Sequence, residues 1–540
     1  MTNDANANPS LTLAERIADT LAVNGVRRIF GVPGGGSSLD LIDAAADRGI
    51  EFVLCRTETA AAIMAAVTGE LTSIPGVVLT GIGPGAASVV NGIAYASLER
   101  APVVVFTDAH DQTATAPPHQ IFDQPSLFGP ISKAQERLSP PDGATSFERL
   151  FELAAAEPPG PVHIDLSARD AGANSPAPSP WDRASLPVPE TAPLENSSEL
   201  LASARRPVLI VGLQCRHDER ADAANTLADS LGCPVMTTYK AKGIVPESSP
   251  LNVGLYTGAK LDNSVLAEAD LILFCGVDPV EMIPGKWPHS APVIVLSETP
   301  RLAWPFEPDI EIAAPVAVSA NYLAGRSSAS TWTGEEIGSQ KTRLREIVAN
   351  SAAAGRSPDE IIDAAAAAVP TNARLAVDAG AHMFSAMSRW PASAPHDVLK
   401  SNGLSTMGYA VPAALASWLE QTDRPAVAIT GDGGMMMSLA ELSTAARLGA
   451  NLTVIVLNDG ALSLIDIKQQ RQQRPPLGVR YSKSDFATAA RGMGCDAWTV
   501  GGQDPLEFAL AEAFEANGPT LIDVSVDPSG YRDQLTALRG

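Results

Sequence analysis

Residues 429–468 read ITGDGGMMMSLAELSTAARLGANLTVIVLNDGALSLIDIK, and this stretch decides the fold. Residues 426–429 form an apolar strand that runs into Gly431-Asp432-Gly433-Gly434. Met437, Leu439, Leu442, Ala445 and Leu448 then recur at helical spacing, and Gly449 stands where a helix stops. A second apolar run, 452–457, delivers Asn458-Asp459-Gly460. The pattern predicts a βαβ unit with an acidic residue just past the C-terminal end of each strand. That is the edge at which open parallel sheets bind ligands.

Glycines let backbone amides approach a phosphate group closely, and a helix start adds N–H donors. A diphosphate repels carboxylates, so Asp432 and Asp459 beside one imply a divalent cation between them. Two carboxylates, a carbonyl and phosphate oxygens are hard ligands that suit Mg2+. A tight turn with a capped helix accounts equally well for GDG alone. The pairing of GDGG with LNDG through one βαβ unit is far more specific.

At 540 residues the chain has room for three or four domains of roughly 150 residues. With 45% hydrophobic and 18% charged residues it reads as a globular α/β enzyme. A net charge of −23 argues against a nucleic-acid partner, which needs a basic footprint. Five scattered cysteines without CxxC spacing point to buried reduced thiols and a cytoplasmic setting rather than to disulfides or zinc. Residues 1–10 lack a basic region and an apolar core, so they read as a disordered tail rather than a secretory signal. No apolar run approaches the ~20 residues that span a bilayer, so no membrane association is expected.

Strand and helix patterns alternate along the whole chain. Residues 28–32, 52–55, 77–80 and 102–107 are apolar runs, and those of 28–32 and 77–80 are followed by the turns Pro33–Gly36 and Gly81–Gly85. The alternation predicts α/β architecture, with doubly wound parallel sheets in three domains. The boundaries are 11–170, a Ser/Pro/Ala-rich linker at 171–193, 194–325, a polar and partly helical linker at 326–356, and 357–540. Glu58 begins a small-residue helix after the second strand, where a glutamate ordinarily serves only as a helix-dipole partner.

These motifs resemble the thiamine diphosphate enzymes, closest to the acetolactate synthase and 2-oxo acid decarboxylase group. The resemblance covers the GVPGGG loop, Glu58, Gly83-Pro84-Gly85, His119-Gln120, the Gly380-Ala381-His382 segment, Ser405-Thr406-Met407-Gly408, GDGG and LNDG. It implies a pyrimidine-binding domain, a central Rossmann-like domain and a diphosphate- and Mg2+-binding domain. The implied cofactor contacts are Glu58, His382, Ser405, Met407, Gly431, Asp432, Gly433, Gly434, Asp459 and Leu462. The metal would be held by Asp432, Asp459 and the carbonyl of Ala461. Glu58, Gly35, His119, Gln120 and Lys468 would face the chemistry, which proceeds through a C2 ylid and an enamine. The family's flavin-binding run Arg-Phe-Asp-Asp is replaced by Gly276-Val277-Asp278-Pro279, so FAD is not expected.

The implied function is a decarboxylase or carboligase acting on a 2-oxo acid, as a homodimer or homotetramer with active sites between subunits. Lys468 stands where acetolactate synthases carry tryptophan, His119 where they carry phenylalanine, and Gly36 where they carry alanine. The implied pocket is therefore more polar and basic, and Lys468 reads either as an exposed lysine or as a handle for a second anionic group. An acyl-transferring lyase of the same family is the alternative. A non-catalytic nucleotide-binding protein is a third, opposed by the joint presence of Glu58, Asp432 and Asp459.

Overall fold

The computed structural model describes residues 11–113, 119–120, 122–181, 190–283, 285–300, 303–326, 328, 330–502 and 504–539. The first sheet contains β1 (Arg28–Val32), β2 (Glu51–Leu54), β3 (Gly76–Thr80), β4 (Val103–Ala109), β5 (Ala134–Arg137) and β6 (Pro161–Ser167). The second contains β7 (Pro207–Val211), β8 (Val235–Thr237), β9 (Asn252–Leu255), β10 (Leu271–Cys275), β11 (Val293–Ser297) and β12 (Ile310–Ala313). The third contains β13 (Arg374–Val377), β14 (Val398–Lys400), β15 (Ala426–Gly431), β16 (Leu452–Asn458), β17 (Asp496–Val500) and β18 (Thr520–Ser525). Neighbouring strands pair in parallel throughout, as in β15 with β16, where Gly431 lies opposite Leu457. The protein is thus α/β with three doubly wound parallel sheets.

Central strands such as β3 and β16 are buried along their whole length, as continuous apolar runs require when helices cover both faces. The first sheet is ordered β2-β1-β3-β4-β6-β5 and the third β14-β13-β15-β16-β18-β17, so the two repeat one strand order. The second, β12-β11-β10-β7-β8-β9, has the Rossmann order, reversing direction between β7 and β10.

By compactness the chain forms two units. One is Met1–Arg183 with Leu415–Gln421 and Ala440–Leu448; the other is Ala184–Ala414 with Thr422–Leu439 and Gly449–Gly540. The first is built around Leu13, Ile17, Phe106, Phe147 and Ile164. In the second, the second and third sheets share one apolar core that includes Leu209, Phe274, Leu375, Ile455 and Leu535. All five cysteines are buried and none is in a disulfide. No helix among the described residues is long and apolar enough to cross a membrane.

The structure departs from the sequence reading in three elements. The stretch 437–448 is not one helix but two, Asp432–Ser438 and Glu441–Leu448. Ser438 donates its hydroxyl to the Gly434 carbonyl one turn back, a bond that bends helices, and Met436 and Met437 are left exposed. The helix Thr191–Ser203 starts inside the expected 171–193 linker, because Pro193 lies in its first turn, where no intrahelical N–H is needed. Within 326–356, Gly334–Ile347 is a capped helix whose Ile337 and Leu344 are buried together with Trp332. The Trp332 indole donates to the Pro207 carbonyl at 3.0 Å, so this segment is part of the core.

Candidate active site

In the second unit, the C-terminal ends of β13, β15 and β16 open onto a cavity of about 290 Å3. Its lining gathers His382, Ser405, Met407, Gly431, Asp432, Gly433, Gly434, Asp459, Ala461, Leu462 and Lys468. Residues far apart in sequence and predicted for one site therefore meet at one.

Asp432 is buried. Its carboxylate accepts the N–H of Gly460 at 2.7 Å, its neighbour Gly433 at 2.8 Å and the Tyr481 hydroxyl at 2.9 Å. Asp459 accepts Ser463 Oγ at 2.5 Å and the Ala461 N–H at 3.1 Å. Burial, reinforced by the charge of Asp432, pushes the Asp459 carboxyl up to about 6. His382 begins the helix His382–Arg389. Burial pulls its imidazole down to about 4, so the ring is neutral near pH 7, and its buried Nε2 has no hydrogen-bond partner among the described residues.

Two organising residues gave no sequence signal. Asp378, at the end of β13, is buried and accepts the N–H groups of Ala379, Gly408 and Tyr409 and the Thr430 hydroxyl. One carboxylate thereby ties the turn before His382, the turn after Met407 and the end of β15 together. Tyr481 arrives on a loop held by Leu462 N–H to the Val479 carbonyl (2.8 Å) and Tyr481 N–H to the Gly460 carbonyl (2.9 Å). A lone Asp after a strand or a Tyr in a loop looks like many others in a sequence.

The residues present fit a metal-bound diphosphate. Two carboxylates face one cavity, and burial, reinforced by the charge of Asp432, raises the Asp459 carboxyl. The buried His382 Nε2 is left without a hydrogen-bond partner among the described residues. A Cβ on Gly433 would lie 2.9 Å from Leu462 Cδ2 and 3.2 Å from both Met407 Cε and the Tyr481 hydroxyl oxygen, so glycine keeps the floor clear where these side chains converge.

The first unit has a second group of loops at the C-terminal edge of its sheet. Asp108, closing β4, accepts Ser37 Oγ at 2.7 Å, Ser38 N–H at 2.8 Å and Gly36 N–H at 3.2 Å, and so shapes the loop that carries Gly35. A Cβ on Gly35 would meet nothing within 4 Å. Glu58 opens the helix Glu58–Thr72, whose cap is the Thr57 side chain accepting from Ala60 N–H. The Glu441 carboxylate accepts the N–H groups of Arg56 and Thr57 at 2.9 and 3.0 Å and pins the turn just before Glu58. A Cβ on Gly85 would lie 2.2 Å from Thr80 Oγ1 and 3.6 Å from Glu58 Oε1, which places the carboxylate over the GPG turn. Gly83 there has φ +64° and a Cβ would lie 2.1 Å from the Gln120 carbonyl oxygen. His119 and Gln120 are both exposed. His119 contacts His110 Nε2 through its carbonyl, at 2.6 Å.

Comparison with known proteins agrees with this geometry. Residues 11–127 match the N-terminal TPP binding domain of the thiamine pyrophosphate enzymes, 194–321 their central domain and 378–524 their C-terminal TPP binding domain. The chain belongs to this family and is a thiamine pyrophosphate-dependent enzyme of the lyase or transferase type, like acetolactate synthases and 2-oxo acid decarboxylases. It is 30% identical over 541 residues to the catabolic acetolactate synthase of Raoultella terrigena, covering 96% of this chain and 95% of that one. It is 29% identical over 530 residues to a probable 2-ketoarginine decarboxylase of Pseudomonas aeruginosa, with 95% and 94% covered. Identity to the acetolactate synthase of Bacillus subtilis is 27% over 558 residues, with 97% and 94% covered.

Proposed function

We propose that the protein is a Mg2+-dependent decarboxylase or carboligase of a 2-oxo acid. The observation that carries this reading is the convergence of Asp432, Asp459 and Gly433 on one cavity with a neutral His382. Asp432, Asp459 and the Ala461 carbonyl would hold Mg2+, and the backbone of Gly431, Gly433 and Gly434 together with His382 would face the diphosphate. Met407 and Leu462, converging beside Gly433, would press on the ring system, with Ser405 at the rim. Thiamine diphosphate, when bound, supplies a nucleophilic carbon and an electron sink for loss of CO2.

The chain's own contribution is positioning, desolvation and proton holding. Glu58 would hold a proton against the aminopyrimidine ring, fixed by its helix cap and by Glu441. Gly35, His119 and Gln120 would border the reacting carbon, and Lys468 would meet the substrate's far end. An acid–base group so placed typically contributes 10²–10⁴-fold. The two groups of loops, one in each unit, support a homodimer or homotetramer in which subunits complete each other's sites, and exposed Met436 and Met437 next to GDGG support burial at such a contact. A fully active monomer in sedimentation velocity would contradict this. A cytoplasmic location accords with five buried cysteines that form no disulfide.

In the second sheet, the crevice between β7 and β10 contains the chain's own Glu281. Its carboxylate accepts Leu213 N–H at 2.9 Å and Asp278 N–H at 3.2 Å, donors that a nucleotide phosphate would otherwise use. A Cβ on Gly212 would lie 2.2 Å from Val277 Cα, so the crevice is also narrow. The arrangement supports a structural role for this domain without FAD.

A screen of 2-oxo acids for CO2 release, run with and without inorganic phosphate, tests the proposal. Release independent of phosphate is expected. Acyl phosphate formation would move the protein to the acyl-transferring lyases, and no turnover of any 2-oxo acid would refute the reading.

A further inference from the structure

Two basic side chains line the cavity from different helices, Lys468 on Ser463–Arg471 and Arg539 on Tyr531–Arg539. The helices are tied by Arg471, which donates to the Thr536 hydroxyl. Among the described residues neither Lys468 nor Arg539 has a carboxylate partner. Arg539 instead stands over the Phe384 ring, 5.6 Å from its centroid. In a chain with 61 acidic and 38 basic side chains, two cations left without carboxylates at one cavity set a local field against the global sign. The acidic pair of the same cavity, Asp432 and Asp459, is occupied by backbone and hydroxyl donors and is suited to the metal. Leu464 and Ile465, on the helix of Lys468, add apolar lining.

We propose that Lys468 and Arg539 together select a 2-oxo acid that carries a second anionic group at its far end, separated by a short apolar spacer. The inference rests on the reading above that a 2-oxo acid reacts in this cavity. The same cations disfavour a substrate with a positive far end, such as the guanidinium of the compound for which the Pseudomonas aeruginosa relative is named. A charged hydrogen bond is worth 10- to 150-fold when desolvated and less when water reaches it. Both residues are exposed at the rim, so about tenfold for each is expected.

The test compares 2-oxoglutarate with 2-oxovalerate, which has the same chain length and one carboxylate, on the holoenzyme. The wild type is expected to favour the diacid about a hundredfold in kcat/KM. Lys468→Met and Arg539→Met should each cut that preference about tenfold through the KM of the diacid, while Arg539→Lys retains most of it. Thermal melting of each variant identifies any that fail to fold, and Arg539→Lys then carries the comparison. Equilibrium dialysis of thiamine diphosphate with Mg2+ separates the two possible anions. Variants with weaker cofactor binding and an unchanged diacid preference would assign the cations to the diphosphate and overturn the proposal. Calorimetric binding of 2-hydroxyglutarate against 2-hydroxyvalerate decides the matter even if neither oxo acid turns over, an outcome that would count against the proposed function alone. Equal affinity for the two hydroxy acids in the wild type would overturn the inference.

Discussion

The Tyr481 hydroxyl donates to Oδ1 of Asp432 at 2.9 Å, so a loop residue 49 positions away helps to orient the carboxylate that opens GDGG. Partners that orient a metal-binding carboxylate typically affect affinity 10- to 100-fold. Tyr481→Phe should therefore raise the Mg2+ concentration for half-maximal activity about tenfold, with little change in folding. An unchanged Mg2+ requirement would remove Tyr481 from the site.

Glu58 is held by its helix cap and by the Glu441 bonds to the turn before it. Glu58→Gln preserves that frame and removes the carboxylate proposed to hold a proton at the aminopyrimidine. Exchange of the C2 hydrogen of bound cofactor for deuterium, followed by NMR, should slow at least about a hundredfold. Exchange at the wild-type rate would refute the role.

Burial pushes the Asp262 and Glu281 carboxyls up to about 7. Their folded values lie above those of the unfolded chain, so unfolding releases protons between about pH 4 and 7 and stability falls as pH rises through that window. His382 and His396, pulled down by burial, act in the opposite sense below about pH 6.5, so the wild type alone shows a muted slope. Asp262→Asn isolates one group. Its stability relative to wild type in urea unfolding should improve by about 1 kcal/mol per pH unit between pH 5 and 7 and level off above. A pH-independent difference would contradict the raised value.

The purified protein should be colourless. With Glu281 on the amides of Leu213 and Asp278, no flavin absorption should survive gel filtration after incubation with FAD. A retained yellow band would show that the crevice opens.

Much of this architecture was legible in the sequence, because glycine turns and wholly apolar runs mark parallel strands unambiguously. Residues of GDGG and LNDG line one cavity, and they stood out because glycine and a carboxylate recur at the ends of two apolar strands. The split between Asp432–Ser438 and Glu441–Leu448 escaped, since the apolar spacing of Met437 and Leu439 suits a continuous helix. Asp378, Asp108 and Glu441 escaped because each acts through backbone N–H groups distant in sequence, which no residue pattern records. Arg539 escaped because only the packed helix Tyr531–Arg539 brings it to the cavity that Lys468 also lines.

The most direct test of the account is calorimetric binding of thiamine diphosphate to apoprotein stripped with EDTA, with and without Mg2+, for wild type, Asp432→Ala and Asp459→Ala. The account predicts binding by the wild type only when Mg2+ is present, and loss of at least about a hundredfold in each variant, because removing one of two carboxylates proposed to hold the cation leaves its buried charge uncompensated. Tight binding without a divalent metal, or wild-type affinity in either variant, would contradict it.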